Sequence, residues 1–292
     1  PCHTNMPYLM ARPSLTASLP DSGEVRGFFE DYFLTRWEKG KKTPEKPYRP
    51  VVVGTALAFN DAQTSGSLSE VTRKTLDLMW TTQGEEGAWK WAKCGWAPME
   101  IDDHYGVTLA VLAAGIAPGD YAETEAAKAG LEKAKRYLKT HSGPSLHHRI
   151  MTAWASLRIG GLMERQEREE TLRQMLSKQL ADGGWSTPSF LADWKDFRRK
   201  DNKPHDVETP DAYGTGLALV VAREMGVPAS DARLQKGVAW LKANQRESGK
   251  WFSRSPAKDS MHYFTNTGCA FALLGLQACG ALPGWPFETA KR

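Results

Sequence analysis

The chain has 292 residues, 41% of them hydrophobic, with 38 Lys and Arg against 34 Asp and Glu for a formal net charge of +4. This is length for one large domain or two small ones, with a sizeable core, and the positive charge is too small and too scattered for nucleic-acid binding. No run reaches the roughly 18 apolar residues of a membrane span, and four cysteines make no disulfide framework, which suits a cytoplasmic protein with at most a peripheral contact to an anionic membrane. Residues 1–22 and 282–292 are rich in Pro and small residues and are expected to pack on the surface. Between them a period of 3.6 predicts ten helices, at about 23–38, 49–61, 67–83, 101–115, 122–141, 146–163, 166–180, 209–226, 231–245 and 261–280. Every second one is more apolar, as in Val51–Phe59, Val107–Ile116, Tyr213–Val221 and Thr267–Gln277, while Ala122–Lys139 and Arg165–Gln179 carry charge. That alternation predicts two concentric layers of helices, apolar inside and charged outside. The long charged segment Ser186–Thr209 is expected as a loop over one end.

One phrase occurs three times with identical spacing. Gln83, Gly87 and Trp89; Gln179, Gly183 and Trp185; and Gln245, Gly249 and Trp251 each read Q-x-x-x-G-x-W. Each copy follows an amphipathic helix and precedes an apolar one, so the chain is built from a repeated helical hairpin. Gly permits a tight exit from the helix, the Gln amide is expected on orphan carbonyls at the helix end, and the indole is expected to cover the joint. The first two copies lie farther apart than the last two, which fits two hairpins, the first of which has lost its ending.

The motif resembles the QW repeat of squalene-hopene and oxidosqualene cyclases, over most of residues 50–280. The resemblance implies an all-α fold, an α/α-toroid. It also draws notice to Glu100-Ile101-Asp102-Asp103, at the start of the apolar helix after the first copy. This run is similar to the D-x-D-D motif of class II terpene cyclases, with Glu in first place. In that family the third residue of the motif protonates the substrate, which here implies Asp102. Chemistry agrees with that assignment. Three crowded carboxyls cannot all ionise, so a proton is retained, and a helix N-terminus stabilises the carboxylate left behind. A structural alternative is that Asp102 and Asp103 only cap the helix.

Carbocation chemistry needs a dry enclosure with π-faces. The candidates for it are Trp154, Tyr213, Tyr105, Trp96, Tyr263 and Phe264, and His148 is the expected partner of the acid. Rival chemistries lack residues. A magnesium-diphosphate D-D-x-x-D has Gly106 where its last Asp should stand, and its second motif has Asn60, Asp61 and Thr64 but Leu68 at the last position. The zinc pattern of protein prenyltransferases would need a Cys near Asp211. Cys2-His3 would end a haem attachment motif only with residues before Pro1. The resemblance implies a single-domain class II cyclase of a prenylated aromatic or other linear isoprenoid, with no metal or organic cofactor and no obligate protein partner. The alternative is a non-catalytic toroid that binds a lipid or a protein.

Overall fold

A computed structural model describes residues 4–15, 23–39, 44–195 and 197–282. Residues 40–42 of the Lys39–Lys42 cluster, the Cys2-His3 pair and the tail from 283 onward lie outside the described residues. The described residues form helices and turns without a strand. The chain divides into two compact units.

The first unit holds α1 (Asn5–Ala11), α2 (Gly23–Phe33, continued by one π-helical turn), α3 (Arg49–Gln63), α4 (Glu70–Thr81), α5 (Asp103–Ile116) and α6 (Glu125–Thr140). Small and apolar side chains run all round α3 and α5, so nearly every residue of both is buried and they pack on each other. By contrast α6 buries one stripe, Ala127, Gly130, Leu131, Ala134, Tyr137 and Leu138, at three- and four-residue spacing. Ser69, Asp102 and Thr124 cap α4, α5 and α6 by accepting the amides of Thr72, Tyr105 and Ala127. The Pro-rich N-terminal segment does more than cover a surface, because α1 packs on α3 and buries Met6, Leu9 and Met10.

The second unit holds α7 (Leu146–Ser156), α8 (Arg165–Ser177), α9 (Thr187–Leu191), α10 (Ala212–Glu224), α11 (Ala232–Ala243) and α12 (Phe264–Ala278). Its main contact is α10 on α12, and glycine permits it. A Cβ on Gly216 would lie 2.2 Å from the carbonyl oxygen of Phe271, and one on Gly275 would lie 3.0 Å from the Cα of Gly216. The helix expected over 146–163 stops at Ser156, ahead of Gly160 and Gly161, the latter with φ +80. The expected loop after Trp185 contains α9, whose five residues are all buried.

Candidate active site

The three Q-x-x-x-G-x-W copies are one structure in triplicate. Each Gln Nε2 donates to the carbonyl of the Gly four residues on, at 2.9, 2.8 and 2.9 Å. Each indole Nε1 donates to the carbonyl ten residues earlier, Met79, Met175 or Leu241, at 2.9, 2.9 and 2.7 Å. The turn glycines have φ +101, +98 and +76, which an L side chain rarely adopts. The roles expected from sequence are thus partly exchanged. The indole takes the helix-end carbonyl, whereas the amide closes the turn and ties it to a later helix. Gln83 reaches Gly130 O on α6 and Gln179 reaches Arg233 O on α11.

The repeat extends further than the sequence reading found. The amide two residues after each repeat Trp is accepted by a side chain three residues before a glycine in the next buried helix. Trp91 donates to Asp103 Oδ1 at 2.9 Å, Thr187 to Asp211 Oδ2 at 2.7 Å, and Ser253 to Thr265 Oγ1 at 3.4 Å. The following glycines, Gly106, Gly214 and Gly268, have no room for a Cβ against Trp91, Thr187 and Ser253 respectively. The signal was present in sequence as a glycine 17 residues after Trp89 and Trp251 and 29 after Trp185, but the insertion in the second copy obscured it.

This alignment separates the carboxylates at the head of α5. Asp103 is the repeat clamp and also pairs with Lys93 at 3.0 Å. Asp102 is the N-cap, accepting Tyr105 N at 3.3 Å, and its counterparts in the other copies are Pro210 and Phe264. In the second copy one residue, Asp211, does both jobs by accepting Thr187 N, Thr187 Oγ1 and Gly214 N. Glu100 is buried at 4% exposure. The field of this end reaches α6, where burial and then Asp103, Asp102 and Glu86 push the Tyr137 hydroxyl up to about 12. Aromatic rings flank it. Trp91 lies 5.5 Å from Tyr48 and 6.1 Å from the buried Tyr105, with its indole donating to Met99 O.

The second unit gathers other candidates. Tyr213 is fully buried, 5.2 Å from Phe264 and 4.7 Å from Phe271, and Phe271 is 6.3 Å from Trp154. Phe271, seven residues after Phe264 on α12, was not singled out from sequence, although that spacing puts both on one face. His147 Nε2 lies 2.8 Å from Tyr213 Oη. His148, the expected partner of the acid, belongs to this unit. Its Nδ1 is 2.7 Å from Ser145 Oγ, and its ring meets Trp194 edge-on. Trp96 stacks on Tyr263, which is 52% exposed. Burial, and then the Arg199 and Arg198 charges, lower the His205 pKa. Arg199 lies in the charged segment expected as a loop over one end. It is buried and held by Asp201, Asp259 and the Ser255 carbonyl.

The partial magnesium motif has a structural use. Arg26 of α2 bonds Asn60 Oδ1 and Asp61 Oδ1, each at 2.7 Å, while Asp61 Oδ2 accepts Ser69 N at the start of α4. The three cysteines described are Cys94 on the surface, Cys269 bonded to the Trp251 backbone, and buried Cys279. No helix among the described residues is long and apolar enough to cross a membrane.

No protein-family model matches the chain, and no curated protein matches it in sequence. Solved structures do match its fold. A possible member of the GH105 family from Klebsiella pneumoniae superposes with TM-score 0.55 at 12% identity, covering 95% of this chain and 81% of that one. The type II terpene cyclase MstE from Scytonema gives 0.51 at 13%, covering 94% and 88%. A glycosyl hydrolase of family 88 from Bacteroides vulgatus gives 0.51 at 13%, covering 94% and 90%. The fold is an α/α-toroid. All three of these neighbours are enzymes, and at such identities the likeness speaks for fold alone.

Proposed function

We propose that this chain is a class II terpene cyclase in which Asp102 protonates a terminal alkene of a polyprenyl chain. The fold suits MstE and the two glycosyl hydrolases equally, so it does not choose between them. The observation that carries the reading is that Asp102 is one carboxylate more than the repeat requires. Asp103 repeats as Asp211 and Thr265, whereas Asp102 stands where the other copies have Pro210 and Phe264. A carboxyl at the N-terminus of a buried helix, beside buried Glu100 and clamped Asp103, meets the demands on a Brønsted acid. Neighbouring carboxyls favour one retained proton, and the amides of the first turn receive the carboxylate after transfer.

In this reading Glu100 tunes the acid. Tyr105, Trp154, Tyr213, Phe264, Trp96 and Tyr263 offer rings to the successive cations. The substrate class that fits is a prenylated aromatic acid or a similar linear isoprenoid. The aromatic end would stay outside the reaction, and neither metal nor organic cofactor would take part. The test is to incubate the protein and its Asp102→Asn variant with a geranylgeranylated hydroxybenzoate in EDTA, and separately with squalene. Asn keeps the cap acceptor and lacks the transferable proton. Cyclisation of the first substrate by the wild type only is expected. Equal turnover by the Asn variant, turnover of squalene alone, or a strict need for magnesium would reject the reading.

A further inference from the structure

The second unit holds a surface cavity of about 130 Å³. Its wall combines Phe252, Asp206, Arg254 and Thr209 with the buried side chains of Asp211 and Arg199. At roughly 10–15 Å³ per water-sized group, the space suits one hexose ring.

The charges at this wall cancel. A net anion entering it meets Asp206 and Asp211, and a net cation meets Arg254 and Arg199. Asp211 already accepts three bonds from Thr187 and Gly214, and Arg199 already donates four to Asp201, Asp259 and Ser255 O. That leaves Asp206 and Arg254 as the available polar pair. Arg254 Nη1 lies 3.3 Å from Asp206 Oδ2, while its Nε and Nη2 hold Asp259. The guanidinium keeps donors beyond these bonds, and each Asp206 oxygen keeps acceptor capacity. A donor and an acceptor so close together match vicinal hydroxyls, one accepting from Arg254 and the next donating to Asp206. Phe252 supplies an apolar platform. It is 48% exposed, with the Arg246 guanidinium over its ring at 5.0 Å.

We propose that this cavity is a carbohydrate subsite that takes one neutral pyranose ring, with its C–H face on Phe252 and two neighbouring hydroxyls on Asp206 and Arg254. The arrangement is the usual one for a small polar ligand, a concave apolar surface with a few placed polar groups. It does not depend on the cyclase reading, and the two can fail separately.

The full chain is titrated with methyl β-D-glucopyranoside, methyl α-D-mannopyranoside and methyl α-D-galactopyranoside, and followed by saturation-transfer NMR and calorimetry. At least one should bind at about millimolar strength. Phe252→Ala and Asp206→Asn should each weaken it about tenfold or more, with unchanged far-UV circular dichroism. Acetate and glycine at equal concentration should not displace it. Absence of binding by all three glycosides overturns the proposal, as does binding that survives both substitutions. Displacement by acetate would make the cavity an anion site and overturn it too.

Discussion

Asp103 holds the amide of Trp91 at 2.9 Å as Asp211 holds that of Thr187 at 2.7 Å, so two acids on different helices perform one architectural task. The third copy does it with a hydroxyl, Thr265 on Ser253. Asp103→Thr, which copies that third solution, should therefore keep the fold and leave turnover within about tenfold of wild type. Asp103→Ala leaves the Trp91 amide unmatched and should cost about 1–3 kcal/mol, read by chemical denaturation. If the Thr variant folded normally but lost activity as completely as Asp102→Asn, Asp103 would be a proton donor and not a clamp.

The repeat residues should differ in a graded way. Trp89, Trp185 and Trp251 are almost wholly buried and each satisfies a helix-end carbonyl, so Trp→Ala should cost about 3–5 kcal/mol at any of them. Gln83→Ala and Gln179→Ala each remove two bonds, one of them to another helix, and should cost about 1–2 kcal/mol. Gln245 is exposed and has one such bond among the described residues, so Gln245→Ala should cost only a few tenths. The glycines follow the same order. A Cβ on Gly87 would lie 2.1 Å from Lys133 O, whereas Gly249 faces open space, so Gly87→Ala should lower the melting temperature further than Gly249→Ala. Equal losses at all copies would contradict this grading.

The helices were legible because their periods were strong, and α3, α5, α10 and α12 were recognisable as buried by their small, apolar composition. The triple motif located the turns for the same reason, since a left-handed glycine and an indole at fixed spacing leave little choice. The short helices α1 and α9 were missed, each in a Pro-containing segment too short to show a period. Within the charged segment Arg198 and Lys200 are exposed, as basic residues in a loop are expected to be, but Arg199 is not. Burial of Arg199 became visible only once Asp201 and Asp259, 58 residues apart, were seen on the same guanidinium. Asp102 was legible as a candidate, but its separation from Asp103 required the amide bonds of the other two copies.

The aromatic group of the second unit should govern product identity if the cyclase reading holds. Phe271 touches both Tyr213 and Trp154, at 4.7 and 6.3 Å between ring centres. Phe271→Leu keeps the volume roughly constant and removes the π-face, so it should change the product ratio more than the melting temperature. Tyr213→Phe removes the bond to His147 and keeps the ring, so products should persist. Analysis of the products by gas chromatography separates the two outcomes. A product profile unchanged in Phe271→Leu would remove this cluster from the reaction.

Asp211 makes the stability of the second unit pH-dependent in a direction opposite to most carboxylates. Burial raises its pKa from 3.8 to about 6, against four lowering hydrogen bonds from Gly214, Thr187 and Tyr213. The folded protein thus holds a proton that the unfolded chain has released between these values. The associated stabilisation is full below about 3.8 and is lost as pH rises through about 6, an effect of about 3 kcal/mol over the window. Asp201 and Asp259, whose pKa values are lowered by Arg199 and Arg254, and Asp231, lowered to about 2 by Arg233, contribute in the other sense and lose their effect as pH falls below the ordinary carboxylate range. Asp211→Asn keeps an acceptor for Gly214 N, sets its NH2 group against the Thr187 amide at a cost that does not vary with pH, and cannot titrate. Its denaturation free energy, subtracted from that of the wild type, should therefore show the wild type relatively more stable at pH 4.5 than at pH 7.5. A difference that is flat between these pH values, or that rises with pH, would mean that Asp211 is a fully ionised cap in the folded protein.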